Sequence, residues 1–305
     1  MKKAIVIYNP NSGKKKNILD LLNKCRPIFT YNGYECEFVQ TKYKGHAKEL
    51  LTLLMPVDLV ISVGGDGTFN EIVSGNLKRK EPLVLSHIPI GTANDLRDLF
   101  GLGTDISKNL ELILTGKDKY IDLCLINEQP FVYVAGFGKF MNISYDTPRN
   151  KKSKFGYLAY IVAGVKDFFK PLYLYDIDYE IDGKTYSGKY TLGIISNANR
   201  IAGVKNFYKD VKLDDDLFEV LLCKTHRKDK FLKSLIDIGL NDVTKAKGFN
   251  FYRTNNIKIT FKNKLRYPWT LDGEKFNENG NTYNVKVKSM KFRLSEGAVK
   301  KNCTK

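Results

Sequence analysis

The chain is poor in residues that build covalent or metal-held scaffolds. Its 305 residues include five cysteines and three histidines. Cys25, Cys36, Cys124, Cys223 and Cys303 are far apart and form no C-x-x-C pair, which excludes zinc ribbons and fingers. Scattered thiols in odd number suit a reducing compartment, so a cytoplasmic location is expected. No run approaches the ~18 consecutive apolar residues of a membrane-spanning helix. The apolar stretch after Met1-Lys2-Lys3 stops at Asn9-Pro10, too early for a signal peptide. Neither G-x-x-x-x-G-K-[ST] nor G-x-G-x-x-G occurs, which removes the Walker loop and the dinucleotide fingerprint. Internal repeats and low-complexity tracts are also missing.

What remains is a chain with ample material for a core, 43% hydrophobic, and an excess of cations. Lysine and arginine number 50 against 33 acids, a net charge of +17. Such a balance points to an anionic partner, a membrane surface or a phosphorylated ligand, set against solvated lysines of no special purpose. Nucleic acid is an unsupported third option, because no matching motif is present.

Length favours two domains. Residues 4–8, 35–40, 59–63 and 83–90 read as strands, and 18–22, 47–54 and 69–73 have helical spacing. This strand–turn–helix alternation predicts a parallel sheet covered by helices, over residues 1–118. Asp105 is the expected N-cap of a helix that runs to 114. From 119 to 290 strand-like runs follow one another: 120–126, 131–134, 173–181, 189–196, 218–224, 257–261 and 285–287. Asp182-Gly183 is a hairpin signal among them. Only 155–169 and 229–240 look helical, so the second domain is read as mostly antiparallel β. For 291–305, a return to the first domain is left open.

Three loops carry the chemistry. Gly64-Gly65-Asp66-Gly67-Thr68 follows an apolar strand and opens a helix. Glycines let a phosphate approach backbone N–H groups, and the helix N-terminus adds positive potential. Asn9, Ser12, Gly13 and Lys14 follow the first strand, while Gly91, Thr92 and Asn94 follow the strand at 83–90. All three loops fall at one edge of a parallel sheet, where open α/β sheets bind ligands.

The segments NPNSGK (9–14), GGDGTFNE (64–71) and PIGTAND (89–95) resemble the signature of the diacylglycerol kinase catalytic family. KLDD (212–215) and LDGE (271–274) continue the likeness, so it spans nearly the whole chain. The resemblance implies a fold shared with NAD kinases, ATP and Mg²⁺ as cofactors, and phosphorylation of a lipid hydroxyl. Residues 64–70 and Glu71 would wrap the ATP phosphates, Asn70 among them, with Thr92 and Thr41 adding polar contacts. By the same likeness Asp272 is the general base. Glu274, two residues on in what reads as an extended segment, would lie on the same side to tune it or reach a metal-bound water. Asp66 and Asp95 would hold catalytic Mg²⁺. A structural Mg²⁺ would take the Asp215 carboxylate and the carbonyls of Lys212 and Leu217. Asp216 stands where the family usually has glycine, which puts that backbone in question.

Diacylglycerol is the preferred substrate. Phosphatidylglycerol, sphingosine or ceramide-like lipids are the alternatives, followed by a non-catalytic nucleotide-responsive lipid binder. Arg149, Lys151, Lys152 and Lys154, ahead of the aromatic stretch at 155–169, suggest peripheral seating on an anionic bilayer. The other reading is a core helix with a solvated basic entry. No specific nucleic acid is expected, and a homodimer is left open.

Overall fold

A computed structural model describes residues 1–13, 17–91, 96–141, 167, 170–198, 200–201, 204–205, 207–208, 211–240 and 243–304. The chain divides into two compact units. Unit 1 comprises 1–121 and 289–305, and unit 2 comprises 122–288.

Unit 1 begins with β1 (Lys2–Tyr8), whose last five residues are all buried. After α1 (Ile18–Lys24) and α2 (Arg26–Tyr31), β2 (Tyr34–Gln40) pairs parallel to β1 on one side. After α3 (His46–Leu53), β3 (Leu59–Gly64) pairs parallel on β1's other side. Beyond α4 (Asp66–Asn76), β4 (Leu85–Pro89) extends the sheet in the same direction. The order β2-β1-β3-β4 therefore reverses at β1/β3, with every strand ending at one edge. β3 and β4 are buried along their whole length, as expected where helices cover both sheet faces. Following α5 (Arg97–Phe100), Asp105 caps α6 (Ile106–Leu114) by accepting the Ser107 and Lys108 N–H groups at 2.8 and 3.2 Å.

Unit 2 starts within β5 (Lys117–Ile126), which forms a hairpin with β6 (Gln129–Phe131). Its larger sheet is antiparallel: β7 (Val134–Gly138), β10 (Leu192–Ser196), β13 (Phe218–Cys223) and β14 (Phe249–Thr254) lie side by side. β16 (Trp269–Leu271) and β17 (Glu274–Phe276) complete it on the β7 side. The other antiparallel layer runs β9 (Lys184–Tyr190), β8 (Tyr175–Ile181), β15 (Asn256–Phe261) and the start of β18 (Thr282–Leu294). Short strands β11 (Arg200–Ile201) and β12 (Val204–Lys205) pair separately. Edge-on aromatics fill the core, with Phe137 5.0 Å from Trp269 and 4.9 Å from Phe261. One long helix, α7 (Lys228–Leu240), anchors through fully buried Phe231. The rest of β18 belongs to unit 1, where Phe292 stands opposite Leu85 of β4, and α8 (Glu296–Asn302) follows.

Several expected elements are corrected. The run at 131–134 is not one strand: β6 ends at Phe131 and β7 begins at Val134. Between them Val132 and Tyr133 turn their N–H groups onto the Asp272 carboxylate. The run at 189–196 is likewise two strands, broken at Thr191. β18 is far longer than 285–287, because its outward lysines interrupt the apolar run without interrupting the strand. The element expected at 155–169 lies outside the described residues, apart from Asp167.

Candidate active site

In unit 1 the loops that follow β1, β3 and β4 pack backbone against backbone. The Asn9 N–H donates to Val63 O at 3.0 Å, and its side-chain amide reaches Thr68 Oγ1 at 3.3 Å. Asn9 Oδ1 accepts the Asn11 N–H at 2.9 Å, which folds the loop back on itself. Gly13 has φ 73°, and a Cβ there would sit 2.0 Å from Ile90 O. The Ile90 N–H in turn donates to Gly64 O at 2.8 Å. A Cβ on Gly64 would stand 2.9 Å from Thr68, and one on Gly65 3.7 Å from the Gly91 Cα. At Gly13 and Gly64 only glycine permits this closeness, and these contacts draw Asn9, Ser12, Gly13, Gly64, Gly65, Thr68 and Gly91 together.

α4 begins inside this cluster, with Gly65 as N-cap and Asp66, half-buried, in its first turn. Around Gly67 there is open space, since nothing lies within 4 Å of a would-be Cβ. A helix start lined by glycine, at the reversal of strand order, offers N–H donors and dipole potential of the kind that can hold an anion.

The other expected residues make contacts of their own. Glu71 spends its carboxylate on the Gly45 N–H at 2.8 Å, fixing the loop after β2. Asn70 Oδ1 accepts from Ser74 at 3.4 Å, along the helix. Thr41 is buried and its N–H bonds Tyr8 O at 2.9 Å, at the same sheet edge. Lys14, Thr92, Asn94 and Asp95 lie outside the described residues, as do Arg149, Lys151, Lys152 and Lys154. Beneath the loops, His87 is fully buried and stacked on Phe69 with ring centres 4.7 Å apart. Burial lowers its pKa to about 3, so it is neutral packing there.

In unit 2, β16 and β17 are joined by Asp272-Gly273, both left-handed at φ 47° and 85°. These are the signs of a two-residue type I′ turn, for which Asp-Gly is a preferred pair. The Asp272 carboxylate points inward. Oδ2 accepts the Val132 N–H at 2.7 Å, and Oδ1 accepts those of Tyr133 and Val134 at 3.0 and 3.1 Å. Three backbone donors thus orient this carboxylate and stabilise its charge. The expectation of an extended segment at 272–274 is corrected: the turn intervenes, Asp272 is 8% exposed and Glu274 is open to solvent.

The acidic segment at 212–217 sits beside β13. Asp215 Oδ1 accepts the Leu217 N–H at 3.2 Å, and Oδ2 pairs with Arg253 at 3.1 Å. Asp216 adopts φ 58° and donates its N–H to buried Asp122 at 2.7 Å. The aspartate in the glycine position therefore takes up a left-handed backbone, which Asp tolerates better than most residues. Arg253 also pairs with Glu219 at 3.2 Å. Glu219 is 1% exposed, its Oε2 has no hydrogen-bond partner, and burial raises its pKa to about 7. Among the described residues no three His, Cys, Asp or Glu side chains are arranged to hold a metal. Asp122, Glu219, Arg253 and the Val132–Val134 donors escaped sequence reading. The available signal was a lone carboxylate inside each of the apolar runs IDLCLI and FEVLLC.

Comparison with known proteins bears directly on this site. The diacylglycerol kinase catalytic domain matches residues 3–126. A diacylglycerol kinase of Bacillus subtilis (strain 168) is 30% identical over 280 residues, 90% of each chain. The chain belongs to the diacylglycerol kinase family. Members of this family are lipid kinases, and this chain is one of them. A Staphylococcus epidermidis diacylglycerol kinase is 33% identical over 226 residues, 72% of this chain and 70% of that one. The fold matches a crystal structure of a diacylglycerol kinase from Bacillus anthracis str. Sterne, with TM-score 0.79 and 22% identity. That match covers 98% of this chain and 99% of the other. No helix among the described residues is long and apolar enough to cross a membrane.

Proposed function

We propose that the chain transfers the γ-phosphoryl group of ATP to the free hydroxyl of diacylglycerol, giving phosphatidic acid. The observation that carries this reading is the glycine cradle at the β1/β3 reversal, whose close packing leaves space over Gly67 at the opening of α4. The tight Gly13–Ile90 approach holds two of the loops together, and the open space at Gly67 fits a polyphosphate. Phosphoryl transfer then requires positioning, charge neutralisation and one proton acceptor.

Two carboxylates of the LDGE hairpin divide that last task. Asp272 already accepts three N–H bonds, which makes it a hairpin lock and a poor base. Glu274, exposed at the start of β17, takes the proton as the lipid oxygen attacks the γ-phosphorus and the bond to ADP breaks.

Mg²⁺ bound with the nucleotide would neutralise phosphate charge, with Asp66 and Asp95 as its protein-side anions. The oxygen donors of Lys212, Asp215 and Leu217 suit a structural Mg²⁺ by type, although Arg253 already balances one Asp215 oxygen. If such a site forms, thermal stability rises with Mg²⁺ and falls on chelation.

The test is transfer from labelled ATP to micelle-dispersed lipids with the wild type, Glu274→Gln and Gly13→Ala. Labelled phosphatidic acid, lost in Glu274→Gln and weakened through ATP KM in Gly13→Ala, supports the whole reading. Label on phosphatidylglycerol or a ceramide moves the substrate only. ATP and lipid binding without transfer leaves a nucleotide-responsive binder.

A further inference from the structure

Unit 2 concentrates positive charge at the entry to α7. From Lys224 to Lys233 the sequence KTHRKDKFLK holds five Lys and Arg against one acid. All five, Lys224, Arg227, Lys228, Lys230 and Lys233, are exposed. The single acid, Asp229, is held by Arg227 through two bonds of 3.0 and 3.1 Å. The surface widens sideways, because the Lys224 N–H bonds Gly248 O at 2.9 Å and so brings exposed Lys247 alongside. Lys245, two residues earlier, is exposed as well, while Asp237 of α7 accepts the Lys247 N–H at 2.8 Å. Among these cations Leu232 is 44% exposed.

The helix is fixed rather than floating. Phe231 is fully buried and stacks on Phe140 at 5.8 Å. Phe140 follows β7 closely, and β7 begins at Val134, one of the donors to Asp272. The five residues of β7 and the turn after it thus connect the locked hairpin to the basic helix within unit 2.

We propose that this face of α7, with Lys245 and Lys247 beside it, docks unit 2 on an anionic phospholipid bilayer. The inference rests on the lipid-kinase reading, since a substrate dissolved in a bilayer must be met at its surface. Charge complementarity selects the occupant: clustered lysines match acidic headgroups. Among the described residues the exposed ring between these cations is His226, with no exposed Phe, Tyr or Trp beside it to stack on bases, so nucleic acid is the poorer fit.

The experiment uses the full chain and two quadruple variants of equal charge loss. One is Lys230→Gln/Lys233→Gln/Lys245→Gln/Lys247→Gln. The other removes exposed lysines of unit 1, as Lys3→Gln/Lys24→Gln/Lys78→Gln/Lys80→Gln. Each is sedimented with phosphatidylcholine vesicles, with and without phosphatidylglycerol, and assayed on micelle-dispersed lipid. At roughly fivefold per cation, the first variant is expected to lose about 600-fold in binding to the anionic vesicles. The second should lose far less, and both should keep wild-type turnover on micelles. Equal losses in the two variants would overturn the proposal, since total charge and not this face would then govern binding. Wild-type vesicle binding by the first variant would overturn it too. Absence of lipid phosphorylation on micelles by the wild type would instead defeat the lipid-kinase reading, whatever the vesicles show.

Discussion

Unit 2 contains two hairpins closed by the same dipeptide, Asp182-Gly183 and Asp272-Gly273. Their backbones are nearly alike, with φ 51° and 73° in the first and 47° and 85° in the second. Their carboxylates are not. Asp182 offers one oxygen to the Thr254 hydroxyl at 3.1 Å in an exposed turn. Asp272 turns inward and gathers three backbone N–H groups. Turn chemistry alone explains both aspartates equally well. What separates them is the donor set, and that set is built from β6–β7, about 140 residues away in sequence.

The sharpest way to break the comparison is activity. Glu274→Gln should lower kcat by ~10²–10⁴, or about 3–5 kcal/mol of barrier, with Tm unchanged. If it retains a tenth of wild-type turnover while Asp272→Asn remains folded and inert, Asp272 is the base after all. Next comes stability. Asp272→Ala leaves three buried N–H groups without an acceptor and forces alanine into a left-handed turn, so urea unfolding should show a loss of about 3 kcal/mol or more. A loss below ~1 kcal/mol would mean that the cradle relaxes and does not lock the hairpin.

Glu219 supplies a third buried carboxylate, this time poorly furnished with donors. Burial raises its pKa to about 7 from 4.5, with Arg253 opposing the shift. Between those values the folded state holds a proton that the unfolded chain has lost, so stability falls as pH rises through this window and levels off above it. Glu219→Gln should therefore match wild type near pH 4.5 and exceed it above pH 7, by on the order of 3 kcal/mol. An equal difference at both pH values would show that the effect is packing. The smallest effect belongs to Asp182→Asn, which keeps the turn and should change stability by less than ~0.5 kcal/mol.

Unit 1 was readable from the sequence because its signals are local. The apolar strands, the glycine turns behind them and the Asp105 cap each occupy a few consecutive residues. Their meeting at one edge follows from parallel strand direction alone. Unit 2 was readable only as a class. β16 and β17 are three residues each, too short for a period to register. The Asp272 donors were hidden inside what read as a strand, since an N–H leaving a ladder alters no side-chain pattern. Glu219 and Asp122 were visible as charges in apolar runs, but their partners come from distant strands.

The division of the chain has a consequence for its synthesis. Unit 1 is interrupted, and its last seventeen residues are made only after all of unit 2. Until then β4 lacks the neighbour supplied by Phe292, a side chain that also packs 5.9 Å from Phe69 and 6.1 Å from Phe100. A ribosome that has released residues 1–121 has thus delivered all three glycine loops on a sheet with one raw edge. Unit 1 would then mature last, although most of it is encoded first.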